Sequence, residues 1–293
     1  MFKGSIVALV TPFDGAGEID FAALAALVTF HLDAGTDALV VGGTTGESAC
    51  LRAGEFQALL SAVISQVAGR IPVIAGTGTP ATERTMENTR LAADCGADGA
   101  LVVTPYYNRP TQHGLVEHFL TIADSSELPL ILYNVPSRTA VDMLPETVQK
   151  LAGHERIVAI KEAVGRVDRV AELLRLCGSE FTVLSGDDNS FLQAMICGAR
   201  GVISVAANVV PAAFKCICQA VERHDWAAAE TEEARLRALF ELLMIETNPI
   251  PVKWALHEMS LCTERLRLPL TPLSAIYREA LNHCLTTLGV LKI

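Results

Sequence analysis

Lys161 closes the apolar run Ile157-Val-Ala-Ile160 and is followed by Glu162. An amine at the end of a buried segment sits in low-dielectric surroundings, which disfavour the ammonium form. A neutral amine attacks a carbonyl and forms a Schiff base. The plain alternative is a lysine that pairs with Glu162 and reacts with nothing. The other lysines offer less. Lys3 precedes the first strand-like run, Lys150, Lys215 and Lys253 sit on or beside helix-like segments, and Lys292 is next to the last residue.

Three further groups carry chemistry by type and place. Gly43-Thr-Thr-Gly46 offers glycine-flanked amides and the hydroxyls of Thr44 and Thr45, a cup for an anion such as a carboxylate. A simple strand-to-helix turn is the competing reading. Tyr106, Tyr107 and Tyr133 are three of four tyrosines, and all three end or follow apolar runs. A phenol near a reacting atom shuttles protons, although packing with a hydrogen-bonded hydroxyl is commoner for any one tyrosine. Arg138 can fork onto a substrate carboxylate or pair with a nearby acid.

These groups need a frame to hold them. Short apolar, β-branched runs predict strands at residues 5–11, 38–42, 72–76, 100–104, 130–134, 157–161, 181–185 and 201–204. Several, such as Ala38-Leu-Val-Val-Gly42, are apolar throughout, the pattern of parallel strands covered on both faces. Helical spacing fills the gaps. One helix is predicted over residues 20–34, capped by Asp20, striped by Phe21, Leu24, Leu27 and Val28, and ended by Gly35. Another carries Phe56, Leu59, Leu60, Val63, Ile64 and Val67 and stops at Gly69. A weak repeat agrees. Asp33-Ala-Gly-Thr-Asp-Ala-Leu-Val-Val41 resembles Asp94-Cys-Gly-Ala-Asp-Gly-Ala-Leu-Val-Val103, and Cys197-Gly-Ala-Arg-Gly-Val-Ile203 echoes both. Each reads as a helix end, a left-handed glycine and a buried strand.

Eight parallel strands alternating with helices predict an α/β fold, a (β/α)8 TIM barrel, in which chemistry gathers at the C-terminal strand ends. The candidate residues all fall there. From Trp226 onward only helix-like patterning remains, broken by Pro249, Pro251, Pro269 and Pro272. Residues 1–225 are therefore expected to form the barrel, and 226–293 a helical C-terminal extension. An open doubly wound sheet would bring a G-x-G-x-x-G after its first strand, and none is present.

Composition narrows the partners. At 293 residues, 51% hydrophobic and 19% charged, the chain is neither disordered nor a small cross-linked scaffold. A net charge of -10 makes nucleic acid and anionic membranes poor partners. No apolar run is long enough for a bilayer, and Met1-Phe-Lys-Gly4 leads directly into a strand-like run without a secretory pattern, so a cytoplasmic protein is expected. The eight cysteines form no C-x-x-C and the histidines are scattered, so no metal is expected.

The motifs Gly42-Gly-Thr-Thr-Gly-Glu47, Thr104-Pro-Tyr-Tyr-Asn-Arg-Pro110, Leu132-Tyr-Asn-Val-Pro-Ser-Arg-Thr139, Ile160-Lys-Glu-Ala163 and Leu184-Ser-Gly-Asp-Asp188 stand in order along the chain. Together with Gly4-Ser-Ile-Val-Ala-Leu-Val-Thr-Pro12 and Asn248-Pro-Ile-Pro-Val-Lys-Trp254, they resemble the 4-hydroxy-tetrahydrodipicolinate synthase (dihydrodipicolinate synthase) family over the full length. The resemblance implies that Lys161 condenses with pyruvate and that the enamine attacks L-aspartate 4-semialdehyde, with no cofactor. It implies that Thr45 and loop amides hold the pyruvate carboxylate and that Arg138 holds the semialdehyde. Tyr133, Thr44 and Tyr107 would relay protons, with Tyr107 reaching into the neighbouring subunit of a homotetramer. Gly186 and Ile203 would line the pocket.

Members inhibited by lysine bind it in a polar cleft. The matching positions are Ala49, Ala53, Phe56, Pro80, Arg84 and Tyr106, and only the tyrosine fits that pattern. Arg84 repels an ammonium, although Glu83 beside it partly substitutes, so weak or absent lysine feedback is expected. Two rival readings share the barrel. A sister aldolase, such as N-acetylneuraminate lyase or a 2-keto-3-deoxy-sugar-acid aldolase, would keep Lys161, Tyr133 and the threonines, but Asn134-Val-Pro-Ser-Arg138 favours the synthase. A non-catalytic binding protein on the same barrel would have no need of the intact set Lys161, Tyr133, Thr44 and Tyr107.

Overall fold

A computed structural model describes residues 2–291, and Lys292 lies outside the described residues. Eight strands close into a parallel barrel in sequence order. They are β1 Gly4–Ala8, β2 Ala38–Val41, β3 Val73–Gly76, β4 Gly99–Val103, β5 Leu130–Asn134, β6 Ile157–Glu162, β7 Thr182–Ser185 and β8 Gly201–Ser204. Closure leaves no sheet edge, and helices cover the outer face. The barrel and its C-terminal helices are therefore as expected.

Strand faces alternate. Ile6, Val40, Ile74, Leu101 and Ile131 fill the interior, while Val7, Leu39, Val41, Val73 and Val102 meet the helices. In β6 the alternation is reset. Leu130 pairs with Ile157 but Ile131 pairs with Ala159, so Val158 is one residue more than β5 can match. Such a bulge reverses the facing of all residues beyond it. Ala159 lies in the inner cluster and Ile160 in the outer one. Lys161 then faces the interior and Glu162 the helix layer.

Two local expectations need correction. The first strand stops at Ala8 rather than Thr11. β8 ends opposite Val7, and beyond a last bond from the Leu9 amide to the Val40 carbonyl, Val10 donates to Asn208 Oδ1 at 3.3 Å and Thr11 Oγ1 donates to the Gly46 carbonyl at 2.7 Å. Phe21 is 47% exposed, whereas Leu24, Leu27 and Val28 are buried. It is the first residue of helix Phe21–Asp33, and side chains lean toward a helix N-terminus, where no earlier turn covers this one. Asp20 caps that helix by accepting from the amides of Ala22 and Ala23. The three repeated corners are present, with φ of +77° at Gly35, +89° at Gly96 and +120° at Gly198.

After helix Pro211–Glu222, the chain runs through helices Trp226–Leu242, Ile250–Glu258 and Ala275–Thr287. They share one core with the barrel's outer layer. Phe240 packs at 5.7 Å from Phe214 and 6.1 Å from Phe191, measured between ring centroids. Truncating it opens a cavity between extension and barrel. Phe240→Ala is expected to lower unfolding stability by about 3–5 kcal/mol, which denaturant titration would read. A loss below about 1 kcal/mol would show that the extension is only loosely seated.

Candidate active site

A cavity of about 110 Å³ opens at the C-terminal ends of the strands. Thr44, Thr45, Tyr133, Arg138, Lys161 and Gly186 line it. The structure thus brings together six of the eight residues singled out for catalysis and substrate binding. Ala8, Val40 and Leu101 form its floor, and Phe240, Met244 and Asn248 close one side from the extension.

Lys161 is 5% exposed, and its Nζ lies 4.3 Å from the centroid of the Tyr133 ring. Tyr133 and Lys161 are register partners across β5 and β6 and share the inner face. Among the described residues no carboxylate lies within ion-pair distance of Lys161. The expected alternative, a Lys161–Glu162 pair, is not formed, because adjacent strand residues face opposite ways. Gly186 clears the amine's path, since a Cβ there would sit 2.9 Å from Lys161 Cε and 2.8 Å from the Ala163 Cβ.

The loop after β2 is a tight series of turns. Gly46 and Ser48 amides donate to the Gly43 carbonyl, and the Glu47 amide donates to the Thr44 carbonyl at 3.0 Å. Gly42 has φ +69°, and a Cβ there would strike the Phe56 ring at 2.7 Å. Thr45 Oγ1 accepts from Asn248 Nδ2 at 3.0 Å. The Thr45 proton remains free to donate to an anion. Across the cavity, Arg138 Nη2 donates to the Asn248 carbonyl at 3.3 Å.

Tyr107 and Ile203 stand apart. Tyr107 is 95% exposed with φ +70° and does not reach the cavity of its own chain. Ile203 is buried in the barrel interior, and Val205 takes the place at the cavity wall. The effector positions fare similarly. Ala49, Ala53, Phe56, Arg84 and Tyr106 line a separate cleft of about 540 Å³ with Arg52. Pro80 is not on its wall; its carbonyl accepts from Asn108 Nδ2 at 2.9 Å.

Sequence reasoning missed several residues. Asn248, Phe240 and Met244 come from the extension, and only the Asn248-Pro-Ile-Pro motif gave any signal. Lys253 was set aside as a helix residue, yet it is fully buried against Glu47 at 2.6 Å. Asp188 Oδ2 accepts the amides of Val205 at 3.1 Å and Ala206 at 2.8 Å, tying the loops after β7 and β8. Burial pushes its carboxyl pKa up. Among the described residues no group of three or more His, Cys, Asp or Glu is placed to hold a metal, and no helix is long and apolar enough to cross a membrane.

Behind Lys161 lies a polar network. Both Glu162 oxygens accept from Asn134 Nδ2 at 3.1 Å, Oε1 accepts the Val164 amide at 3.0 Å, and Arg169 Nη1 is 3.9 Å from Oε2. Arg169 also pairs with Asp142 at 2.7 Å. Burial pushes Glu162 from its ordinary 4.5 up to about 7, outweighing Asn134, Val164 and Arg169, which all favour the charged form. As pH rises, the unfolded chain therefore loses this proton first. The stability contribution is complete below about pH 4.5 and falls away through about pH 7. Glu162→Gln is neutral in both states and is expected to gain melting temperature relative to the native chain between pH 5 and 8. Calorimetry showing a pH-independent difference would contradict the shift.

A family model described as the Dihydrodipicolinate synthetase family matches residues 1–288. The 4-hydroxy-tetrahydrodipicolinate synthase of Acidithiobacillus ferrooxidans is 53% identical over 285 residues, covering 97% of this chain and 98% of the relative. The dihydrodipicolinate synthase crystal structure from Aquifex aeolicus superposes with a TM-score of 0.97 at 48% identity, over all of both chains. The chloride-inhibited dihydrodipicolinate synthase from Acinetobacter baumannii, solved with pyruvate, gives 0.98 at 45% identity, covering 99% of this chain and all of that one. With a full-length match in sequence and in fold, the chain belongs to the dihydrodipicolinate synthetase family.

Proposed function

We propose that this protein condenses pyruvate with L-aspartate 4-semialdehyde through a Schiff base on Lys161. The product is 4-hydroxy-tetrahydrodipicolinate, in lysine and diaminopimelate biosynthesis. The observation that carries the reading is the buried Lys161 amine, without an ion-pair partner among the described residues, in a cavity lined by Thr44, Thr45, Tyr133 and Arg138. Family membership and the pyruvate-bound relative support it.

The neutral Lys161 amine attacks the ketone carbon of pyruvate, and water leaves to give an iminium ion. The iminium withdraws electrons, so the methyl group loses a proton and an enamine forms. Its carbon attacks the aldehyde of the semialdehyde and makes the new carbon–carbon bond. The substrate's own amine then attacks the imine carbon, closes the ring and displaces Lys161. Thr45 and the loop amides hold the pyruvate carboxylate. Arg138 forks onto the carboxylate of the second substrate. Tyr133 and Thr44 pass protons between the reacting atoms and solvent, completed by Tyr107 of a neighbouring copy. The near-complete exposure of Tyr107 supports that assignment. The working form is then a dimer at least, within a homotetramer, in the cytoplasm.

Borohydride reduction in the presence of pyruvate tests this directly. Mass mapping is expected to find the reduced adduct on Lys161 in the native protein and none in Lys161→Arg. Adduct on another lysine, or none in the native protein, would overturn the reading.

The effector cleft presents Ala53 and Phe56 with the cations Arg52 and Arg84. A lysine ammonium meets two like charges there and, among the described residues, no carboxylate on the wall, although Ser48, Gln57, Thr79 and Asn88 offer neutral acceptors. Turnover is expected to be unaffected by sub-millimolar lysine in an initial-rate assay. Strong inhibition in that range would show that the cleft takes lysine despite its wall.

A further inference from the structure

One segment of the extension holds the 43–47 loop at two points. Asn248 Nδ2 donates to Thr45 Oγ1 at 3.0 Å. Two residues along the loop, Glu47 Oε1 lies 2.6 Å from Lys253 Nζ, with both side chains fully buried. Glu47 Oε2 accepts the Arg267 amide at 3.0 Å, and Lys253 Nζ donates to the Arg265 carbonyl at 2.8 Å. The Phe13 ring carries both cations, with Lys253 Nζ at 4.2 Å and the Arg267 guanidinium at 4.3 Å from its centroid. Arg267 is held in turn by Glu55, at 2.5 and 2.7 Å to its two oxygens.

A fully buried ion pair is a poor source of stability. Desolvation offsets most of the attraction, and an apolar pair of the same size is often as stable. Glu47 carries a second cost, because its φ of +54° is left-handed and unfavourable for any residue but glycine. Two penalties at one residue beside the anion cup are explained by the geometry that the residue enforces. The left-handed step at Glu47 turns the loop back on itself after Thr45, and the lysine locks that step from the far side.

We propose that Glu47 and Lys253 are positioning residues for the condensation. Their pair, with the Asn248–Thr45 bond, fixes the loop so that the Thr45 proton and neighbouring amides meet the pyruvate carboxylate. The C-terminal extension is then part of the pyruvate site. The inference rests on the roles given above to Thr45 and Lys161.

The probe is the double variant Glu47→Gln with Lys253→Met, which leaves no charge buried alone. Its fold is checked by thermal melting. Its pyruvate KM is expected to rise by about tenfold or more, with kcat changed by less than about threefold. A merely structural pair would shift the melt and leave the pyruvate KM in place. Asn248→Ala is the second probe and strands no charge. It is expected to raise the pyruvate KM too, and the three changes combined are expected to give less than the product of the separate effects, because they act through one loop. A pyruvate KM within about twofold of native in Asn248→Ala, or in a folded double variant, overturns the inference. If the native protein traps pyruvate on Lys161, that result overturns the positioning role alone. A native protein that traps none overturns both readings.

Discussion

A strand in a closed barrel can send only alternate side chains inward, and the site depends on which residues of β6 those are. Lys161 points into the cavity and Glu162 points to the helix layer, although they are neighbours in sequence. Were they on one face, a carboxylate would stand beside the amine inside the cavity. The facing is set three residues earlier, at Val158, where β6 takes one residue more than β5 can match. A bulge at the base of a strand thus determines which side chain meets the cavity at its tip.

The remaining polar groups sort by the same rule. Tyr133 shares the inner face with Lys161, and Asn134 shares the outer face with Glu162. Outside, Asn134, Asp142, Arg169 and Glu162 knit the ends of β5 and β6 together without touching the cavity. Inside, Thr44, Thr45 and Arg138 are among the donors that line the cavity. The chain carries a net charge of -10, which repels anionic substrates at a distance. Within the cavity these donors act at short range, where they count for more than the distant net charge.

Much of this was legible in the sequence. Uninterrupted apolar runs separated by helical spacing gave eight buried parallel strands, and three glycine corners marked the same turn repeated. Strand ends gave Lys161, Tyr133 and the threonine loop. The Val158 bulge was not legible, because an all-apolar strand looks the same in either phase. Glu47 and Lys253 were missed because a buried pair between distant segments leaves no local pattern. Phe21 fits the apolar stripe of its helix, and only its terminal position leaves it uncovered. Tyr107 is exposed and lies off the cavity of its own chain, and its place beside Tyr106 in the sequence gave no sign of that.

The cavity wall formed by Phe240, Met244 and Asn248 has a bearing on how the protein is made. Synthesis runs from the N-terminus and early segments fold first. All eight strands, Lys161 included, therefore leave the ribosome before the residues that seal the pocket. A nascent chain thus holds Lys161 before its chamber is complete, and a message broken after β8 lacks the residues that form one side of that chamber. The chamber is complete only when the tail has folded back across the rim.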